Sequence, residues 1–123
     1  MIAIVGATIG QVGIYMNIRE ANINQAIALV RLKKEINHQY IKELIKSSIG
    51  QLSLNRLKRP VARANINLEE ISTILVVLPP LDKQKEIANR IQIIRNNVND
   101  LKTKAIQTLQ QAKEEIEKII LFS

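Results

Sequence analysis

The chain has 123 residues, of which 46% are hydrophobic, so it is long enough for one domain and too apolar to be disordered. It contains no cysteine and one histidine, which excludes disulfides, thiolate metal sites and zinc sites built on a histidine pair. The net charge of +7 is concentrated in residues 31–63, which hold nine basic and two acidic side chains. This concentration favours a polyanion such as nucleic acid as a partner, although an ordinary solvated basic surface is an equally weighted alternative.

The first 32 residues predict a small β unit. Residues 1–5 are β-rich, residues 6–10 are a glycine turn, and residues 12–15 supply a second strand of a hairpin-like unit. A phosphate cradle is the less favoured reading of these glycines, because no Gly-Lys-Ser/Thr follows them. Residues 25–32 return to an apolar run that predicts a buried strand. No secretory signal or membrane-spanning run is evident, so a cytoplasmic location is predicted and no membrane contact is expected.

A helix is predicted between Asn37 and Gly50. Asn37 is a favourable N-cap residue, and Ile36 and Ile41 stand at the staple positions on either side of it. Lys46 suits the C-terminal end of the helix, and Gly50 is predicted to terminate it.

Residues 51–64 predict an irregular basic loop that contacts DNA. Arginine pairs in bidentate fashion with guanine or phosphate, whereas asparagine and glutamine suit adenine edges. An ordinary surface loop of a basic protein is an equal alternative. Together with two lysines that precede the helix, the predicted DNA-binding residues are Lys33, Lys34, Gln51, Ser53, Asn55, Arg56, Lys58, Arg59 and Arg63.

The remainder of the chain predicts two helices separated by a strand. Asn67 and Glu70 have the spacing of a capping box and start a short helix. Residues 74–78 are rich in β-branched side chains and predict a strand, which ends at two prolines. A helix of about 40 residues then starts near Asp82 as its N-cap, with almost no linker, which predicts a stiff joint.

The long helix carries an apolar stripe with steps of three and four residues. The steps alternate as in a heptad repeat except at one place, where the step from Ala105 to Leu109 is a second consecutive step of four. Such an interruption is a stutter, which locally unwinds a supercoil. Such a stripe needs a partner helix, and the chain offers none of matching length. An intermolecular coiled coil, parallel or antiparallel, or one completed by a segment outside the chain is therefore predicted, through Ile87, Ile91, Ile94, Val98, Leu101, Ala105, Leu109, Ala112, Ile116 and Ile119.

The sequence motivates no catalytic group, metal site or cofactor. Glu69 and Glu70 are explained by helix capping, and the glutamates at 114, 115 and 117 by a solvated helix face. No nucleophile stands with a candidate base, so the chain is predicted not to be an enzyme.

Three motifs occur in order: Gly-Ala-Thr-Ile-Gly-Gln-Val-Gly at 6–13, Ala-Asn-Ile-Asn-Gln-Ala at 21–26 and Leu-Pro-Pro-Leu-Asp-Lys-Gln-Lys-Glu-Ile at 78–87. With them the chain resembles the DNA specificity subunit of type I restriction–modification systems. The resemblance implies an α+β fold in which residues 1–80 are part of a target-recognition domain and residues 81–123 are a coiled-coil spacer helix. In that family two recognition domains are separated by two long antiparallel helices, which set the distance between half-sites and help dock methyltransferase subunits.

The resemblance implies partners and no catalysis. The partners are double-stranded DNA and the methyltransferase (modification) subunits, with the restriction subunits as a further candidate and a second long helix supplied by homodimerisation. Set against the family pattern, the sequence is expected to lack a second recognition domain, a second helix and the N-terminal half of its own domain. A truncated coiled-coil assembly fragment, which binds protein partners but not DNA by itself, is therefore the alternative function.

Overall fold

A computed structural model describes residues 1–4, 8–58 and 65–123 of the chain. It has the predicted α+β fold class, with a small two-stranded sheet, three short helices and one long helix. Two compact units are present, Met1–Ala88 and Asn89–Ser123. The first contains the sheet and the short helices, and the second consists of the greater part of the long helix.

The sheet is smaller than predicted. Strand β1 (Ile2–Ala3) pairs antiparallel with β2 (Ile27–Ala28), with Ile2 opposite Ala28. The predicted strand at 12–15 is wrong, since only Val12 forms a single bridge, with Ile2. The predicted strand at 25–32 shortens to two residues. A strand needs a neighbour that supplies ladder hydrogen bonds, and β1 is only two residues long, so β propensity alone does not extend either segment.

The glycine turn after β1 brings the chain back along it. Gly10 has a φ of 91°, and its N–H donates to the Ala3 carbonyl at 3.0 Å. Ala3 in turn donates to the Gln11 carbonyl at 2.9 Å. The predicted turn is thus present at its C-terminal end, while residues 5–7 lie outside the described residues.

Helix α1 (His38–Lys46) begins as predicted and ends earlier than predicted. The Asn37 side chain accepts from the N–H of Tyr40 at 2.8 Å, which confirms the N-cap. The helix ends at Ser47, which also caps α2 (Ser48–Leu57) by accepting from the Gly50 N–H at 3.3 Å. The prediction that Gly50 terminates α1 is therefore wrong. The predicted loop at 51–64 is also wrong as far as Leu57, because a serine cap restarts the helix.

Gly50 is needed because α1 and α2 approach each other closely at this residue. A Cβ built on Gly50 would lie 2.5 Å from the Cα and from the carbonyl oxygen of Ile45. Both are backbone atoms, which cannot rotate away as a flexible side chain would. The glycine therefore allows α2 to pack against the last turn of α1.

We expect Gly50→Ala to lower the free energy of unfolding by about 2 kcal/mol through overpacking. Helix propensity alone would favour alanine by about 1 kcal/mol, so a net loss isolates the steric effect. The measurement is the midpoint of urea unfolding. Gly13→Ala is the matched control, since nothing lies within 4 Å of a Cβ at that position. A Gly50→Ala variant as stable as the control would contradict the close approach.

Helix α3 (Leu68–Ser72) has the predicted capping box. The Asn67 side chain accepts from the Glu70 N–H at 2.7 Å, and the Glu70 carboxylate accepts from the Asn67 N–H at 2.9 Å. The strand predicted at 74–78 is wrong, because the described structure has no strand there and Leu75 is 96% exposed. Val77 instead offers its carbonyl to the Tyr40 hydroxyl, at 2.8 Å.

Helix α4 (Leu81–Phe122) has 42 residues, which corresponds to about 63 Å at 1.5 Å per residue. The predicted N-cap, Asp82, instead lies in the first turn, where its negative charge suits the helix dipole. Pro80 precedes the helix, and its carbonyl accepts from the N–H groups of Lys83 and Gln84 at 2.9 and 3.1 Å. Proline suits the start of a helix because it has no N–H to satisfy.

The core of the first unit is aliphatic apart from Tyr40. It joins residues from both strands, α1, α2 and the first turns of α4, together with Ile4 and Ile66. Leu54 of α2 and Ile66 are its most deeply buried large side chains. The buried apolar residues of the described structure are Ile2, Ile4, Ala28, Tyr40, Ile41, Ile45, Leu54, Ile66 and Ala88.

Candidate nucleic-acid interface

Two exposed lysines stand immediately before α1. Lys33 and Lys34 lie in the connection from β2 to α1, where the Ile36 N–H closes a turn by donating to the Lys33 carbonyl at 3.1 Å. Ile36 packs against the core and Asn37 caps α1, so the chain on the C-terminal side of the lysines is fixed. The ammonium groups are thus presented from an ordered turn.

Helix α2 has one buried and one exposed side. Gly50 and Leu54 are buried, and Leu57 packs against the core. At 100° per residue, the five exposed positions fall within one arc of about 120° on the other side. They are Ser48, Ile49, Leu52, Asn55 and Arg56.

This exposed arc has the side-chain types that read a DNA major groove. It has no acidic residue, and neither has the rest of α2. Arg56 presents a guanidinium, which pairs with guanine or phosphate, and Asn55 presents an amide, which pairs with adenine. Ile49 and Leu52 are 71% and 52% exposed, and such apolar groups contact thymine methyls. A B-form major groove is wide enough to admit an α-helix.

Two of the predicted DNA-binding residues have internal hydrogen bonds. The Gln51 amide donates to the carbonyls of Gly10 and Ile45, at 3.0 and 2.9 Å, so both of its hydrogens are used within the fold. The Ser53 hydroxyl donates to the Ile49 carbonyl at 3.1 Å. Gln51 thus connects the turn at Gly10 to α2.

The remaining predicted basic residues lie at or beyond the end of α2. Lys58 is the C-cap residue and is partly buried. Arg59 and Arg63 lie outside the described residues. On α1, Lys42 pairs with Glu43 at 3.4 Å, whereas Lys46 is exposed in the last turn.

Ile49 and Leu52 are exposed residues that sequence reasoning did not select. The signal that would have found them is the spacing of Gly50, Leu54 and Leu57, which marks one helical face and leaves its opposite free. Reading Gly50 as a stop signal hid this periodicity.

The apolar stripe of α4 is exposed over most of its length. Ile87 and Ile91 are partly buried, and the predicted pairing residues beyond them are exposed, namely Ile94, Val98, Leu101, Ala105, Leu109, Ala112, Ile116 and Ile119. Further exposed apolar side chains that the heptad did not include are Ile93, Ile106, Ile120, Leu121 and Phe122. Exposed apolar surface on this scale is characteristic of sites that interact with proteins, membranes or ligands.

Within the described residues, no three or more His, Asp or Glu side chains are placed to hold a metal ion. In the same part of the chain, none of the helices combines the length and the hydropathy needed to cross a membrane.

Two comparisons with known proteins agree with the resemblance. The sequence model of the family described as "Type I restriction modification DNA specificity domain" matches residues 1–111. The chain is 32% identical over 95 residues to the type I restriction enzyme EcoBI specificity subunit of Escherichia coli. That alignment covers 75% of the chain and 19% of the subunit, so the chain spans about a fifth of this relative's length. Because the family match covers most of the sequence, the chain belongs to the type I restriction modification DNA specificity domain family.

Proposed function

We propose that the chain is a DNA-recognition component of a type I restriction–modification system, without catalysis of its own. The observation that carries the proposal is the acid-free exposed arc of α2, which lies within the most basic segment of a chain of this family. Cytoplasmic location follows from this role, because the DNA and the modification subunits meet there.

The basic residues divide into two tasks. Lys33, Lys34 and Lys58, with Arg59 and Arg63, contact phosphates and set the position of the protein on the duplex. Asn55 and Arg56 face base edges, because phosphate contacts alone carry no sequence information. Leu52 lies between them on the arc and adds an apolar contact.

The long helix supplies protein contacts. Its exposed stripe pairs with a second long helix, contributed by another copy of the chain, because apolar side chains at heptad spacing bury each other in such a pair. The methyltransferase subunits dock on the resulting assembly, and the restriction subunits are further candidate partners. A pair of chains would present two recognition units, as two half-sites require.

The test is fluorescence anisotropy with a labelled duplex carrying candidate half-sites, titrated with the chain alone and with its methyltransferase subunits. We expect binding by the chain alone that weakens as salt rises, because the free energy gained by releasing counterions from the DNA falls as the bulk salt concentration increases. Methyltransferase should tighten this binding. No binding in either titration would contradict a role in DNA recognition.

A second candidate function is favoured by the exposed stripe of α4. A coiled-coil assembly fragment would use this stripe to bind protein and would not contact DNA by itself. The same titration separates the two functions. DNA binding only in the presence of methyltransferase, and unaffected by changes in α2, would favour the assembly fragment.

A further inference from the structure

Gln84, in the first turn of α4, is a buried polar residue that joins two distant parts of the first unit. It is 3% exposed. Its Oε1 accepts from the N–H of Asn37 at 2.9 Å, and its Nε2 donates to the Pro79 carbonyl at 2.8 Å. The side chain therefore connects the N-terminus of α1 with the residues that lead into α4.

Tyr40 makes a second connection beside the first. Its hydroxyl donates to the Val77 carbonyl at 2.8 Å, and its N–H donates to the Asn37 side chain at 2.8 Å. The four hydrogen bonds close a ring through Asn37, Tyr40, Val77, Pro79 and Gln84. We call these five residues the clamp.

The clamp is a capping box whose second half comes from another helix. In a capping box the N-cap side chain accepts from the N–H of the third helical residue, whose side chain accepts in return from the N-cap N–H. Asn67 and Glu70 form both halves within α3. In α1 the third residue is Tyr40, whose side chain is directed to Val77 instead. Gln84 of α4 supplies the acceptor that Tyr40 does not.

We propose that Gln84 is a positioning residue that completes the capping box of α1 and thereby fixes the first turn of α4 to the N-terminus of α1. Asn37 follows the exposed Lys33 and Lys34 by a few residues, so the clamp holds these lysines and the start of α4 in one fixed relation. The inference rests on the proposed function. In a DNA-bound assembly this relation contributes to the preferred spacing between two half-sites.

The experiment compares Gln84→Leu with Gln92→Leu in the full chain. Both replace a glutamine of α4 by an apolar residue of similar size, but Gln92 is exposed and donates a local hydrogen bond to Asn96 at 2.8 Å. Tyr40→Phe is a second variant, which removes the Val77 bond and keeps the ring in the core. The first readout is hydrogen exchange at the Asn37 amide. We expect it to become about 3- to 10-fold faster in Gln84→Leu, as expected for the loss of one hydrogen bond.

The second readout is binding to duplexes whose two half-sites are moved apart or together by one or two base pairs, in the complex with methyltransferase. The wild type and Gln92→Leu should favour one spacing, and Gln84→Leu and Tyr40→Phe should discriminate less between spacings.

Unchanged exchange at the Asn37 amide would overturn the clamp. Faster exchange with unchanged spacing preference would overturn the positioning role and leave the proposed function intact. Absence of DNA binding by the wild-type complex at every spacing would instead overturn the proposed function, and the inference with it.

Discussion

Replacing Leu101 and Leu109 by lysine is expected to turn a paired chain into a monomer. Both side chains are exposed on the apolar stripe of α4, and pairing with a second helix would bury them. Burial of a leucine contributes about 2 kcal/mol, so the loss of two per chain, and therefore of four per pair, should raise the dissociation constant by more than about 10⁵-fold. The buried lysines would add a desolvation penalty. Multi-angle light scattering across a range of concentrations measures the change.

The matched control places the same charges on the opposite side of the helix. Gln107 and Gln111 lie there, so the lysine pair at these positions adds the same net charge without entering the stripe. We expect the control to pair as the wild type does. A wild-type chain that is a monomer at every concentration would contradict pairing between copies. In that case the partner of the apolar stripe would be a helix from another protein.

Replacing Arg56, Lys58 and Arg59 by alanine is expected to flatten the salt dependence of DNA binding. Lys58 and Arg59 contact phosphates, and each lost contact should reduce the slope of log affinity against log salt by about 0.9, so the slope should fall by about two. Arg56 reads a base edge, so its loss should cost a further ~1–3 kcal/mol on the preferred sequence. A fall of nearly three in the slope would instead place Arg56 at a phosphate. Anisotropy titrations at four or five salt concentrations distinguish these results.

A control triple variant removes the same charge from α4. Lys102, Lys104 and Lys113 are exposed residues outside the basic segment. Their replacement by alanine should leave the slope within one unit of the wild type. Equal losses in the two triple variants would mean that overall charge attracts the DNA. Unchanged affinity in the triple variant of Arg56, Lys58 and Arg59 would contradict the placement of this end of α2 in the interface.

Local chemistry was predictable from the sequence, whereas pairing between distant segments was not. The caps at Asn37 and Asn67 were found because an N-cap depends on residues within one turn of it. The strand expected at 74–78 failed because β-branched side chains favour a strand only where a neighbour offers ladder bonds. The role of Gly50 was predicted wrongly because a glycine is needed there to let the backbone of α1 approach closely. No local sequence pattern indicates this approach.

The positive charge of the candidate site was predictable from the sequence, whereas the helical arrangement of its side chains was not. The density of Lys and Arg between residues 31 and 63 is visible in the sequence. The exposed arc of α2 was not, because Ser48, Gly50 and Asn55 are poor helix formers whose helix depends on the packing of Leu54. Gln84 was equally hidden. It stands among charged residues in the run Lys-Gln-Lys-Glu, and its hydrogen bond to the N-terminus of α1 is a contact with a segment distant in sequence.

The most direct test of the DNA-recognition role is photocrosslinking from position 52, at the centre of the exposed arc of α2. A photoreactive leucine analogue at Leu52 keeps the size and apolarity of the side chain. In the complex with duplex DNA and methyltransferase, we expect crosslinks to bases of the half-site that a competing unlabelled duplex abolishes. Crosslinks from position 52 to protein alone, in a complex that retains its DNA, would contradict the placement of α2 at the DNA.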